Sequence, residues 1–235
     1  MSTNYIKYAI AALALASSAT YAVEPAEGWY AGLLLGFSDA PSLTFNVNNP
    51  FAAVPLPAKL TYDIYGNAAA QIGFRCNKLR YEGEVVFNRN PYDKLTVGNF
   101  SIKNNRNNNG SGLGMKGNTS TIAGLFNAYY EFYDEDYSAT KWVPYAGLGI
   151  GYASIHNRLD FYVNSQLLNE NRNSVTKSSA IAQGILGINY FFTDTISLGS
   201  DVRYMTTKKI SIYDSRVSAA TWNLVMNVSF DQPAY

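Results

Sequence analysis

From Trp222 to Phe230 every second residue is large and apolar (Trp222, Leu224, Met226, Val228, Phe230), and Asn223, Val225, Asn227 and Ser229 lie between them. Strict alternation of this kind is the signature of a β-strand whose two faces meet different surroundings. Seven further segments carry the same pattern, at residues 29–38, 65–75, 79–89, 119–133, 142–154, 178–191 and 195–204. In the first, Trp29, Ala31, Leu33, Leu35 and Phe37 oppose Tyr30, Gly32, Leu34, Gly36 and Ser38. In the fifth, Ala146, Leu148, Ile150 and Tyr152 oppose Tyr145, Gly147, Gly149 and Gly151, glycines that leave room for neighbouring aromatics.

The connections alternate in length. After the second, fourth and sixth segments the chain turns at residues 76–78, 134–139 and 193–194. After the first, third, fifth and seventh, roughly ten to twenty-five residues intervene. If the strands run up and down, the short turns gather at one end and the long loops at the other. The loop at 104–118 is rich in Asn and Gly, a composition that buries no core and predicts a mobile segment. Segments at 43–47 and 160–168 leave open whether eight or ten strands form.

The N-terminus changes the picture. Lys7, the apolar run 8–16 and the small residues Thr20 and Ala22 read as a secretory signal peptide over residues 1–22, with the mature domain at 23–235. The alternative is an uncleaved anchor helix, but the run falls short of the roughly 20 residues a span needs. Removing residues 1–22 leaves 17 basic and 17 acidic residues, a balance that gives no basic face for a nucleic acid. Cys76 is the only cysteine and His156 the only histidine, so neither an intrachain disulfide nor a His/Cys metal site is expected, and no cofactor is implied.

Alternation alone does not say which face points inward, since a soluble barrel alternates too. The polar faces decide it. They hold Gly, Ser, Asn, Gln, Tyr and a few charges of both signs, whereas a solvated face would be dominated by Lys and Glu. The prediction is all-β: an eight-stranded antiparallel up-and-down transmembrane β-barrel with short periplasmic turns and long extracellular loops. Its proposed interior includes Arg75, Arg80, Glu82, Glu84, Glu131, Asp201 and Arg203. Buried charges persist only when paired, so these residues are expected to form an ion-pair network across neighbouring strands. The alternative is that several lie near the rims in water. An eight-stranded barrel is only wide enough for side chains to fill it, which argues against a wide channel.

Gly28-Trp29-Tyr30-Ala31-Gly32, the run from Val143 to Gly151, Ala182-Gln183-Gly184 and Gly187-Ile188-Asn189-Tyr190 resemble small OmpA-like outer-membrane β-barrels, particularly the bacterial surface-antigen and opacity-type branch. The resemblance covers the whole mature chain. It implies location in the outer membrane of a Gram-negative bacterium, outer-membrane lipids and the assembly machinery as partners, and exposed variable loops. It also implies that Phe230 is the recognition residue for assembly, although Asp231 to Tyr235 follow it and Val225 replaces a common Gly. A peptidoglycan-binding domain, and with it cell-wall anchoring, is not expected.

The functional expectation is a non-enzymatic surface scaffold whose loops serve adhesion or interaction with host surface or matrix molecules. A narrow porin-like channel for small solutes is the alternative. A lipid-modifying barrel enzyme is a third reading. It would rest on His156 with Ser154 two residues earlier on the same strand face, whereas barrel deacylases place His before Ser.

Overall fold

The computed structural model describes residues 25–47, 55–104, 112–133, 141–168, 174–209 and 216–230. Residues 1–22, expected to be a signal peptide, and the tail after Phe230 lie outside these residues.

Eight strands form the barrel: β1 (Gly28–Asp39), β2 (Tyr65–Cys76), β3 (Leu79–Val97), β4 (Leu113–Glu131), β5 (Trp142–Val163), β6 (Ser174–Phe191), β7 (Ile196–Thr207) and β8 (Ser218–Ser229). Each pairs antiparallel with its neighbours in sequence. The ring closes where β1 meets β8, from Tyr30 opposite Ser229 to Asp39 opposite Ala220. Closure leaves no open edge in the barrel wall, the condition for strands to cross hydrocarbon. At the β2–β3 turn Asn77 adopts φ 51°, a left-handed conformation that Asn accepts more readily than most residues.

The alternation of the sequence sorts directly into outside and inside. Leu33, Leu35, Phe126, Leu148 and Ile150 point outward as an apolar belt, with Leu148 the most open at 74%. Aromatic side chains border it. Trp29–Phe74, Tyr130–Phe132 and Trp142–Tyr190 pack at the turn end with ring centroids 5.4, 5.0 and 4.7 Å apart, and Phe37 stacks on Trp222 at the loop end. Two aromatic girdles around an apolar band are what a membrane selects on a barrel exterior.

The middle strands overrun the expected boundaries. At about 3.3 Å per residue, the 22 residues of β5 span about 70 Å, far more than a membrane about 25 Å thick in its apolar part requires. The excess rises at the loop end. There a hairpin of Leu43–Val47 and Leu56–Tyr62 pairs with the top of β3, and Phe100–Lys103 pairs back on β3 from the other side. This outer sheet has its own core of Leu43, Leu60, Tyr92, Leu95 and Met115, with Leu159 and Phe161 packed against it.

The expected eight strands form the ring, and the ten-strand alternative closes: segment 43–47 joins the outer sheet and residues 160–163 prolong β5. One expectation changes. The Asn/Gly-rich loop is not structureless throughout. Residues 113–118 are strand, paired with 158–163, and Met115 is fully buried. Burial of Met115 in the core of the outer sheet overrides the local composition. Residues 105–111 lie outside the described segments.

Candidate functional site: a charged barrel interior

All seven charged residues assigned to the interior point inward, each at most 5% exposed. They form two groups. Near the turn end Arg75 and Arg80 stand directly opposite each other on β2 and β3, a repulsive arrangement unless an anion intervenes. Glu131 on β4 intervenes. Arg75 donates to both its carboxylate oxygens, from Nε to Oε2 at 2.9 Å and from Nη2 to Oε1 at 3.3 Å. Arg80 Nη1 lies 3.5 Å from Glu131 Oε1, and Arg80 Nε lies 3.6 Å from Glu82 Oε1. Tyr30 donates its hydroxyl to the same Glu82 oxygen.

Arg80 is held by rings as well as charges. Its guanidinium carbon lies 4.2 Å from the Tyr129 ring centroid and 4.6 Å from that of Tyr145. Cation–π attraction strengthens when the cation is desolvated, as here. Tyr129 fits because the residue opposite it, Gly147, has no side chain; a Cβ there would collide with the ring. Gly187 and Gly73 make the same room for Tyr145 and Tyr30. Of the three glycines expected to admit aromatics, only Gly147 does. Gly149 admits the amides of Asn127 and Gln183, and Gly151 lies against the backbone of Gly124.

The second group sits higher. Arg203 Nη1 donates to Glu84 Oε1 at 2.6 Å across the lumen, and its Nε and Nη2 engage Asp201 two residues away on the same face of β7. Asn127 and Gln183 donate to Glu84 Oε2. Tyr145 and Asn223 donate to Asp201. Glu84 is thereby tied to β4, β6 and β7, and Asp201 to β5 and β8. Amide pairs continue the pattern: Asn67 to Asn223 and Gln71 to Asn227, both at 2.8 Å. These amides and tyrosines did not stand out in sequence as partners of the charges. The available signal was their inward parity, which Asn127, Gln183 and Asn223 share with their partners.

Above the upper group the interior becomes apolar. Leu34, Val86, Leu125, Ile155, Ile181 and Met205 are buried together there. The polar faces read from sequence contained several of these residues singly, but only the closed ring puts them at one height.

Ser154 and His156 share the outward face, both exposed, and the imidazole Nδ1 lies 2.9 Å from Thr176 Oγ1. Phe230 is exposed on the lipid-facing side, and its backbone N–H donates to the Trp29 carbonyl at 2.9 Å.

Comparison with solved structures places this geometry. The outer membrane protein OprG from Pseudomonas aeruginosa aligns with a TM-score of 0.56 at 13% identity, covering 90% of this chain and 100% of that one. This likeness shows the fold. Neisserial surface protein A aligns at 0.49 with 17% identity, over 88% of this chain and 100% of that one. The attachment invasion locus protein of Yersinia pestis, solved with the heparin analogue sucrose octasulfate, aligns at 0.44 with 9% identity, over 86% and 99%. No curated protein matches the chain. The outer membrane protein beta-barrel domain family has a model that residues 8–230 match. With nearly its whole length inside that match, the chain belongs to the outer membrane β-barrel domain family and is a protein of the bacterial outer membrane.

Proposed function

We propose that the barrel is a non-enzymatic membrane scaffold that holds a β-structured platform at the cell surface for contact with molecules outside. The observation that carries this reading is the outer sheet at the loop end, with a hydrophobic core separate from the barrel's own. A chain needing only a membrane plug has no use for strands that overrun the bilayer, whereas function commonly sits on segments held by a rigid base. The seven interior charges act as the base, tying opposite walls of the barrel together. Residues 1–22 are the export signal, residues 23–235 the barrel domain, and Phe230 the residue read by the assembly machinery.

Adhesion to host surface or matrix molecules is the finer form of the reading. Cells carrying and lacking the protein should differ in attachment to immobilised matrix or host cells; equal attachment would remove adhesion. Orientation is tested separately by protease treatment of intact cells, with cleavage expected within residues 105–111. The narrow-channel alternative has a layered obstacle in Arg203–Glu84 and the apolar side chains above it. Planar-bilayer recordings should show no reproducible conductance, and steady conductance altered by Glu82 or Arg203 substitution would restore the channel reading.

A further inference from the structure

Immediately above the apolar belt, one half of the barrel wall carries a row of hydrogen-bond donors on its outward side. Strand register sets Arg89 on β3 opposite Ser120 on β4, Ser120 opposite His156 on β5, and His156 opposite Thr176 on β6. At about 4.8 Å between neighbouring strands, the row spans about 14 Å. Its residues continue the outward series of the belt: Phe87 lies just below Arg89 on β3, and Ile122 just below Ser120 on β4. Ser120 is half-buried and the other three are exposed. Little of this donor capacity is used. Arg89 sits over the face of Tyr65, its guanidinium carbon 5.8 Å from the ring centroid, and makes no ion pair among the described residues. His156 Nδ1 lies 2.9 Å from Thr176 Oγ1, and a neutral imidazole that accepts there carries its hydrogen on Nε2 as a free donor. The carboxylates above the row are engaged, Asp160 by Arg158 at 2.7 Å and Asp93 by the Thr61 hydroxyl at 3.1 Å. The opposite wall differs. Above Phe37, Tyr204 and Trp222 the next outward residues are Asp39, Thr206 and Ala220, none of them basic.

A donor row at this height faces lipid headgroups, since the belt below it meets the acyl chains and the outer sheet stands above it. Cationic and hydroxyl donors with no competing free carboxylate call for an acceptor-rich anion. Phosphate is one, and a guanidinium pairs with it in bidentate geometry. The row is also wider than a single phosphate, and its two hydroxyls suit a head that carries hydroxyls of its own. We infer that the row binds the phosphorylated sugar head of an outer-leaflet glycolipid. The phosphate sits over Ser120 between Arg89 and His156 Nε2, the sugar lies toward Thr176, and the acyl chains run down over Phe87 and Ile122. The surface-scaffold reading supplies only the leaflet that this end of the barrel faces. Binding itself is measured on protein in micelles, where both ends are accessible, so the two readings fail separately.

The test uses the imidazole NMR signals of the untagged full chain in zwitterionic detergent micelles. His156 is the only histidine, so those signals report on this row alone. The probes are diphosphoryl lipid A, the same lipid dephosphorylated, phosphatidylglycerol and inorganic phosphate. Diphosphoryl lipid A should shift the signals saturably, and the dephosphorylated lipid should not. Arg89→Gln should weaken binding about tenfold, as expected for the loss of one charge-assisted hydrogen bond. Ser120→Leu, which puts an apolar side chain between Arg89 and His156, should weaken it at least as much and serves if Arg89→Gln does not fold. Lys59→Gln, on the outer hairpin, should leave binding unchanged. No saturable shift, an equal shift with the dephosphorylated lipid, or the same affinity in both row variants overturns the inference. Equally tight binding of phosphatidylglycerol overturns the assignment to a glycolipid, and equally tight binding of inorganic phosphate overturns the assignment to a lipid.

Discussion

Replacing Glu131 with Gln keeps the shape of the side chain and removes one charge from the turn-end group. That group holds Arg75, Arg80, Glu82 and Glu131, so its formal charge moves from zero to +1. Arg75 loses a bidentate partner at 2.9 and 3.3 Å, and the charge that separates it from Arg80 disappears. Both arginines are at most 2% exposed, so water and salt cannot take over. Breaking one side of a buried pair costs about 3–5 kcal/mol. That corresponds to a shift of about a hundred- to several-thousandfold in the folding equilibrium. The assay is urea unfolding of the barrel in lipid vesicles, followed by tryptophan emission and by the mobility difference between folded and unfolded barrel on a gel. Adding Arg75→Gln returns the group to neutrality and should recover about 2 kcal/mol as a coupling term. A single-variant loss below about 1 kcal/mol, or a double variant that merely adds the two losses, would refute the idea that the group is held by mutual neutralisation.

Further outcomes follow from the same geometry. Gly187→Ala puts a methyl into the Tyr145 ring and should cost about 1–3 kcal/mol, whereas Gly184→Ala, where a Cβ meets nothing within 4 Å, should be neutral in the same unfolding assay. Leu148→Arg, in the middle of the apolar belt, should destabilise the barrel in bilayers by about 2–4 kcal/mol; no loss would mean that this face does not meet lipid. Phe230→Ala should lower the fraction of protein that reaches the outer membrane in folded form, read by fractionation and gel mobility, and full insertion would end the proposal that it is an assembly signal.

Much of the barrel was legible because a wall one residue thick writes its two environments directly into alternate positions. Trp222 to Phe230 already separates lipid side from lumen side, and the same parity carries Arg75, Arg80 and Glu131 inward. Parity does not give height. Leu34 and Val225 looked like exceptions on polar faces, and they are neighbours in an apolar layer only because β1 and β8 pair with Leu34 opposite Val225. Height depends on register, which is settled across strands and not along one. Strand ends were misjudged for a related reason. Residues 113–118 look like loop by composition, and their pairing with 158–163 depends on the partner strand and on the outer core that receives Met115.

The closing seam has a consequence for how the molecule comes into being. Every other strand pairing of the barrel wall joins strands adjacent in sequence, and needs only a short connection to close. The β1–β8 pairing joins residues nearly two hundred positions apart and carries the largest loop-closure entropy. It is therefore the last to form, and until then two strands present bare donors and acceptors. The time spent as an open sheet, more than the strength of any single contact, sets the window in which two such chains can pair with each other instead of with themselves.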